Sequence, residues 1–107
     1  TGVFAPGRCS NRTQCRAGDS AVEGYLVAHH ALQAHAAAVA LYKSEYAGEG
    51  GVVGITLNID WAFPLDPSSE QDRAAAQRRN EFTFSWFADP IYFGQYPLSM
   101  RKGAHKR

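Results

Sequence analysis

A single stretch of period two decides what this chain is able to fold into. In GVVGITLNIDW, residues 51–61, Val53, Ile55, Leu57 and Ile59 point one way and Thr56, Asn58 and Asp60 the other, which is the alternation of a β-strand. No second stretch of the sequence shows it. An apolar strand with two open edges leaves both rows of backbone N–H and C=O groups without ladder partners and is prone to aggregate. The strand therefore predicts a slice of a larger sheet. Helical periods flank it on both sides, and helix alternating with strand at this spacing is the pattern of a parallel α/β protein, either a doubly wound sheet or part of a (β/α)₈ barrel.

The order predicted along the chain is loop, helix, strand, helix, turn. Residues 1–19, TGVFAPGRCSNRTQCRAGD, show no apolar period and are rich in Gly, Pro, Asn and Arg, so they read as an ordered loop. Ser20 and Glu23 have the spacing of a capping box and predict a helix start there. Val22, Leu26, His29, Leu32, Ala36, Val39 and Tyr42 or Lys43 then recur at steps of three and four until Gly48. Ser68 or Ser69 is expected to cap a second helix, with Glu70 and Asp72 in its first turn facing the dipole. That helix should run to about Phe87, presenting Ala75, Arg79, Phe82 and Trp86 along one face. Pro90, Gly94 and Pro97 predict turns beyond it, with a short helix from Pro97.

At 107 residues the chain fits one domain, 1–107, and its net charge of +1 gives no support to nucleic-acid binding. No apolar run reaches the roughly 18 residues of a membrane span, and the first residues lack a signal peptide's basic and apolar regions. The chain begins at Thr1 without a Met, which gives the expectation of a mature piece, an internal fragment or an incomplete gene model. Oligomeric state is not legible.

Candidate chemistry is sparse. Cys9 and Cys15 enclose five residues, whereas zinc ribbons and thioredoxin-type sites enclose two to four, and two cysteines do not complete a tetrahedral site; no metal is expected. A short-loop disulfide is better supported. Asn11-Arg12-Thr13 inside the loop is a glycosylation acceptor, and both features belong to the secretory route, so an extracellular, vacuolar or other lumenal location is expected. His29, His30 and His35 are spaced wrongly for ligands on one helical face and read as polar residues of a helix flank. The tail RKGAHKR reads as a solvated terminus. GEGGVVG precedes a strand instead of following one, so it makes no phosphate loop, and no cofactor is expected. Asp60, next to Trp61 at the strand end, is the carboxylate placed where α/β proteins do chemistry. An acid that bonds hydroxyls beside an indole that stacks on an apolar ring face suits sugar recognition. The alternative is an Asp that caps the following loop and a Trp that fills the barrel top.

APGRC, then C-x-A-G-x-S-x-x-E-x-Y-x-V-A-H, AHA, GIT with Trp61 at the strand end, and W-F-x-D-P-I-x-x-G-x-YP-x-S-M follow one another from Gly2 to about Arg101. This series resembles glycoside hydrolase family 1, and most of all its plant-type β-glucosidases. The resemblance implies a segment of a (β/α)₈ TIM barrel: the loop after the fourth strand, the fourth helix, the fifth strand and the fifth helix. It implies a retaining O-glycosyl hydrolase of carbohydrate metabolism with a β-glucoside as substrate, and a chain contributing a loop and strand end beside the aglycone side of the pocket. Asp60 falls where plant relatives often have an Asn lining that side, and Trp61 matches the family Trp. Cys9 and Cys15 match a pair that is disulfide-bonded in plant enzymes, making 1–19 a disulfide-closed loop; His29 and His35 match helix histidines of structural role. Asp19 in place of Asn, Gly24 in place of Pro, and the tail RKGAHKR depart from the family.

The family's acid/base Glu lies in a Thr-x-Asn-Glu-Pro motif and its nucleophile Glu in a Thr-Glu-Asn-Gly-like motif. Neither motif occurs in this sequence, so no catalytic residue is assigned. The alternative reading is a catalytically dead relative, persisting as a binding or structural remnant or not folding alone.

Overall fold

The structure, a computed structural model, describes residues 4–104, with side chains through Arg101. The first three residues of the predicted loop and the last three of the basic tail lie outside the described residues. The chain divides into two compact units, Thr1–Val53 and Gly54–Arg107.

In the first unit the cysteine loop is held from several directions. Cys9 and Cys15 form a disulfide with Cα atoms 5.5 Å apart, and both are buried. Cys9 N–H donates to the Ala17 carbonyl at 3.1 Å, and Gln14 and Cys15 N–H both donate to the Asn11 carbonyl. The Arg12 guanidinium turns inward and donates to the carbonyls of Cys9 and Gly18. Gly18 has φ +121° and packs against the Arg8–Cys9 backbone.

The capping box at Ser20 and Glu23 does not form. Ser10 and Ser20 instead exchange hydrogen bonds, each backbone N–H donating to the other's hydroxyl at 3.0 and 2.8 Å. Arg8 draws the Glu23 carboxylate away with contacts at 3.0 and 3.2 Å from Nε, and holds that carboxyl below its ordinary range. Helix α1 accordingly begins at Glu23 with Val22 as an N-cap that makes no side-chain bond, and spans Glu23–Glu45. Of its predicted stripe only Leu32 is buried, joined by Ala28; Val22, Leu26 and Leu41 are about half exposed.

The predicted strand is corrected by the structure: among the described residues there is no strand. No backbone N–H or C=O from 51 to 61 bonds another described residue, Val53, Ile55 and Ile59 stay exposed, and Leu57 is half-buried. The reason is the one the sequence supplied. A ladder needs a neighbouring strand, and these residues contain no other candidate.

The second unit is helical. Asp66 starts a turn whose carboxylate accepts from the Ser68 N–H and hydroxyl at 2.8 and 2.7 Å, which holds the Asp66 carboxyl below its usual range. Ser69 caps α2, Glu70–Asn80, its hydroxyl accepting from Asp72 N–H at 3.2 Å, while the Asp72 carboxylate reaches back to Asp66 N–H at 2.9 Å. A π turn, Glu81–Ser85, leads into α3, Trp86–Phe93. The helix thus passes Phe87 and also Pro90, where a turn was expected. Proline removes one hydrogen bond at that point, and the helix stops four residues later at Gly94, which is left-handed (φ 72°) and donates to the Pro90 carbonyl at 3.0 Å. Pro97 starts the short helix α4, Leu98–Ala104, as predicted. The expected face through Ala75 and Arg79 is exposed; the buried position of α2 is Ala76, although Phe82 and Trp86 do meet edge to face at 6.2 Å. Among the described residues no helix is long and apolar enough to cross a membrane.

Candidate functional site

The sequence-predicted pair sits where the unpaired stretch meets α2. Asp60 is exposed, and its carboxylate makes no hydrogen bond or ion pair among the described residues. It does not cap the following loop, which is fastened through Asn80, Asp66 and Asp72. Trp61 leans edge-on against Phe84, centroids 6.3 Å apart and planes at 67°, yet keeps 55% of its surface exposed. An indole braced by one ring and more than half exposed offers an apolar surface to a flat ligand.

Directly after Trp61 the backbone is gripped. The Asn80 carboxamide accepts from Ala62 N–H at 2.8 Å and donates from Nδ2 to the Ala62 carbonyl at 2.9 Å. Ala76, Asn80 and Phe84 follow at steps of four, so one flank of the helix supplies a small buried contact, the paired amide and the aromatic support for Trp61. Between the segment 61–64 and this flank lies an open cleft of about 530 Å³, walled by Trp61, Phe63, Arg73, Gln77, Asn80 and Glu81. Gln77 donates to Glu81 along the helix wall at 2.8 Å. Sequence reading missed Asn80. The available signal was an Asn in a helix interior, where its propensity is poor and its amide competes for backbone partners.

At the other predicted site, Asn11 is exposed at the tip of the disulfide loop. Its Oδ1 accepts from the Thr13 N–H at 3.0 Å and the Thr13 hydroxyl at 2.7 Å, and its Nδ2 makes no bond among the described residues. His35 is half-buried and His29 and His30 are exposed, with the latter two rings 6.2 Å apart. No group of three or more His, Cys, Asp or Glu capable of holding a metal occurs among the described residues.

A family model described as "Glycosyl hydrolase family 1" matches residues 1–107. The chain is 51% identical over 102 residues to "Beta-glucosidase 1B" of Phanerodontia chrysosporium, covering 94% of this chain and 19% of that protein. It is 49% identical over 105 residues to "Beta-glucosidase 11" of Oryza sativa subsp. japonica, covering 95% and 20%. Among solved structures, a GH1 β-glucosidase from the fungus Humicola insolens in complex with glucose matches with a TM-score of 0.91 and 52% identity, over 95% of this chain and 22% of that one. The chain spans about a fifth of the length of the relatives it matches.

Proposed function

The chain belongs to glycosyl hydrolase family 1, and we propose that it works as one segment of a retaining β-glucosidase barrel, presenting Asp60 and Trp61 to the aglycone side of the pocket. The observation that carries this reading is the Asp60–Trp61 pair itself: a carboxylate with no partner among the described residues beside an indole that meets Phe84 and stays more than half exposed. The carboxylate is available to accept from a hydroxyl of the bound glycoside, and the indole to stack on the aglycone. Double displacement needs two carboxyl groups about 5 to 5.5 Å apart, an acid/base and a nucleophile. Both come from parts of the barrel other than this segment. Glucose bound in the Humicola insolens enzyme supports a glucosyl unit as the substrate's sugar.

The test is a graft of residues 4–104 into the matching fifth of a complete family 1 β-glucosidase. Asp60→Ala and Trp61→Ala should each raise KM for a bulky aryl β-glucoside by about tenfold, the loss of one ligand contact, with methyl β-glucoside affected less. Equal KM values for parent and variants on every aglycone would refute the assignment.

The disulfide and the acceptor triplet support the secretory route for this chain, with a glycan on Asn11. The loop geometry supports one: the sugar would join Nδ2, which has no bond among the described residues, while both bonds to Thr13 use Oδ1. Expressed behind a secretion signal in a eukaryotic host, the chain should lose mass on enzymatic deglycosylation, Thr13→Ala should abolish that loss and Thr13→Ser preserve it. Secreted chain with an unmodified Asn11 would end this part of the reading.

A further inference from the structure

The grip of Asn80 on Ala62 has a form that the rest of the stretch lacks. From 51 to 61 no backbone group is bonded to another described residue, and at Ala62 both groups are bonded at once, to the two ends of one side-chain amide. A carboxamide presents a donor and an acceptor side by side, as a peptide group of a neighbouring strand does. Asn80 therefore supplies, from a helix, a single rung of the ladder that the preceding residues are patterned for. Because the rung falls on Ala62, it fixes the backbone one residue beyond Trp61 and two beyond Asp60. Phe84, one step of four along the same helix, meets the Trp61 ring.

We infer that Asn80 is the positioning residue for aglycone recognition: its amide sets the height and rotation of the 60–62 backbone, and through it the placement of the Asp60 carboxylate and the Trp61 face. This rests on the proposal that Asp60 and Trp61 line the aglycone side. Among the described residues the Asn80 side chain hydrogen-bonds only Ala62, so it acts through its neighbours. Its removal shifts selectivity among aglycones and leaves the bond-breaking steps, which belong to other residues, unaltered.

The experiment uses the grafted full-length enzyme with Asn80→Leu and Asn80→Asp, and reads amide hydrogen exchange at Ala62 together with KM for bulky and small aglycones. Leu has similar volume and neither polar end; it should abolish Ala62 protection and raise KM for the bulky aryl glucoside by about tenfold, with kcat on methyl β-glucoside unchanged. Asp keeps the acceptor and, when ionised, lacks the donor. Above its pKa it should be intermediate, and as its carboxyl protonates the new O–H replaces the lost donor, so both readouts return toward the parent enzyme measured at the same pH. A side chain that served only as filler would show no such recovery. Unchanged Ala62 protection in the Leu variant overturns the inference, as does a KM ratio that stays at the parent value in Asn80→Leu while Trp61→Ala moves it. If Trp61→Ala leaves the ratio untouched as well, the aglycone reading fails and this inference with it.

Discussion

Purified by itself, the chain should hydrolyse no aryl β-glucoside above the uncatalysed rate. Retaining hydrolysis of a β-glucoside needs a pair of carboxyl groups flanking the scissile bond, one protonating the leaving oxygen and the other attacking the anomeric carbon. Enzymes of all kinds lower their barriers by roughly 8 to 23 kcal/mol through such placed groups. Neither glutamate motif of the family occurs in these residues, and one Asp cannot fill both roles. The surface around Asp60 is also unlike a closed pocket, since Leu65 is 95% exposed and Phe63 80%. Without walls the site stays wet, and every electrostatic contact in it is weakened. Chromogenic release followed over hours, with the grafted enzyme as positive control, checks this. Release that scales with the concentration of the isolated chain would sink the idea.

Gly18→Ala should unmake the cysteine loop. A Cβ at this position would lie 2.6 Å from the Cys9 nitrogen and 2.9 Å from the Arg8 carbonyl carbon, both backbone atoms with no rotamer to escape into. The backbone φ of +121° is itself strained for any L side chain, a penalty on the order of 1 to 3 kcal/mol before the clash is counted. The damage would spread, because Arg12 anchors on the Gly18 carbonyl and Cys9 N–H on that of Ala17. Gly24→Ala is the matched control with the opposite sign. Gly24 lies in the first turn of α1 with nothing within 4 Å of an added Cβ, so alanine there should stabilise by about 0.5 to 1 kcal/mol. Thermal melting of the grafted enzyme, with thiol titration after timed exposure to dithiothreitol to follow reduction of Cys9–Cys15, separates the two. A Gly18→Ala protein that melts with the parent would show that the loop adapts.

What the sequence revealed and concealed divides along the range of the interactions. Ser69 as a cap and Pro97 as a helix start were legible because each acts within a turn of itself. The Ser20–Glu23 box used the same local rule and failed, because Arg8, fifteen positions away, offers Glu23 a guanidinium, and Ser10, ten away, occupies Ser20. Pro90 was a local signal overruled by a stronger one four residues on. The motif order identified the family, and the structure of a segment could not display the sheet that the strand pattern demands. Asp60 and Trp61 stood out as candidates because strand ends carry chemistry in α/β proteins. Asn80 was not, since its partner is a backbone group eighteen residues earlier and no side-chain pattern marks it.

The π turn between α2 and α3 has a geometric consequence for this site. Positions four apart on an α-helix drift by about 40° per step, so Ala76, Asn80, Phe84 and Ala88 would fan across about 120° of an unbroken helix. A π turn absorbs one surplus residue, and the twelve residue-to-residue steps from Ala76 to Ala88 then wind like eleven. Eleven residues close almost evenly in three turns, which returns Ala88, the most buried residue of α3, to nearly the azimuth of Ala76. Glu81–Ser85 is thus a phase correction: it lets a strict period of four, which no α-helix keeps, run straight past Trp61.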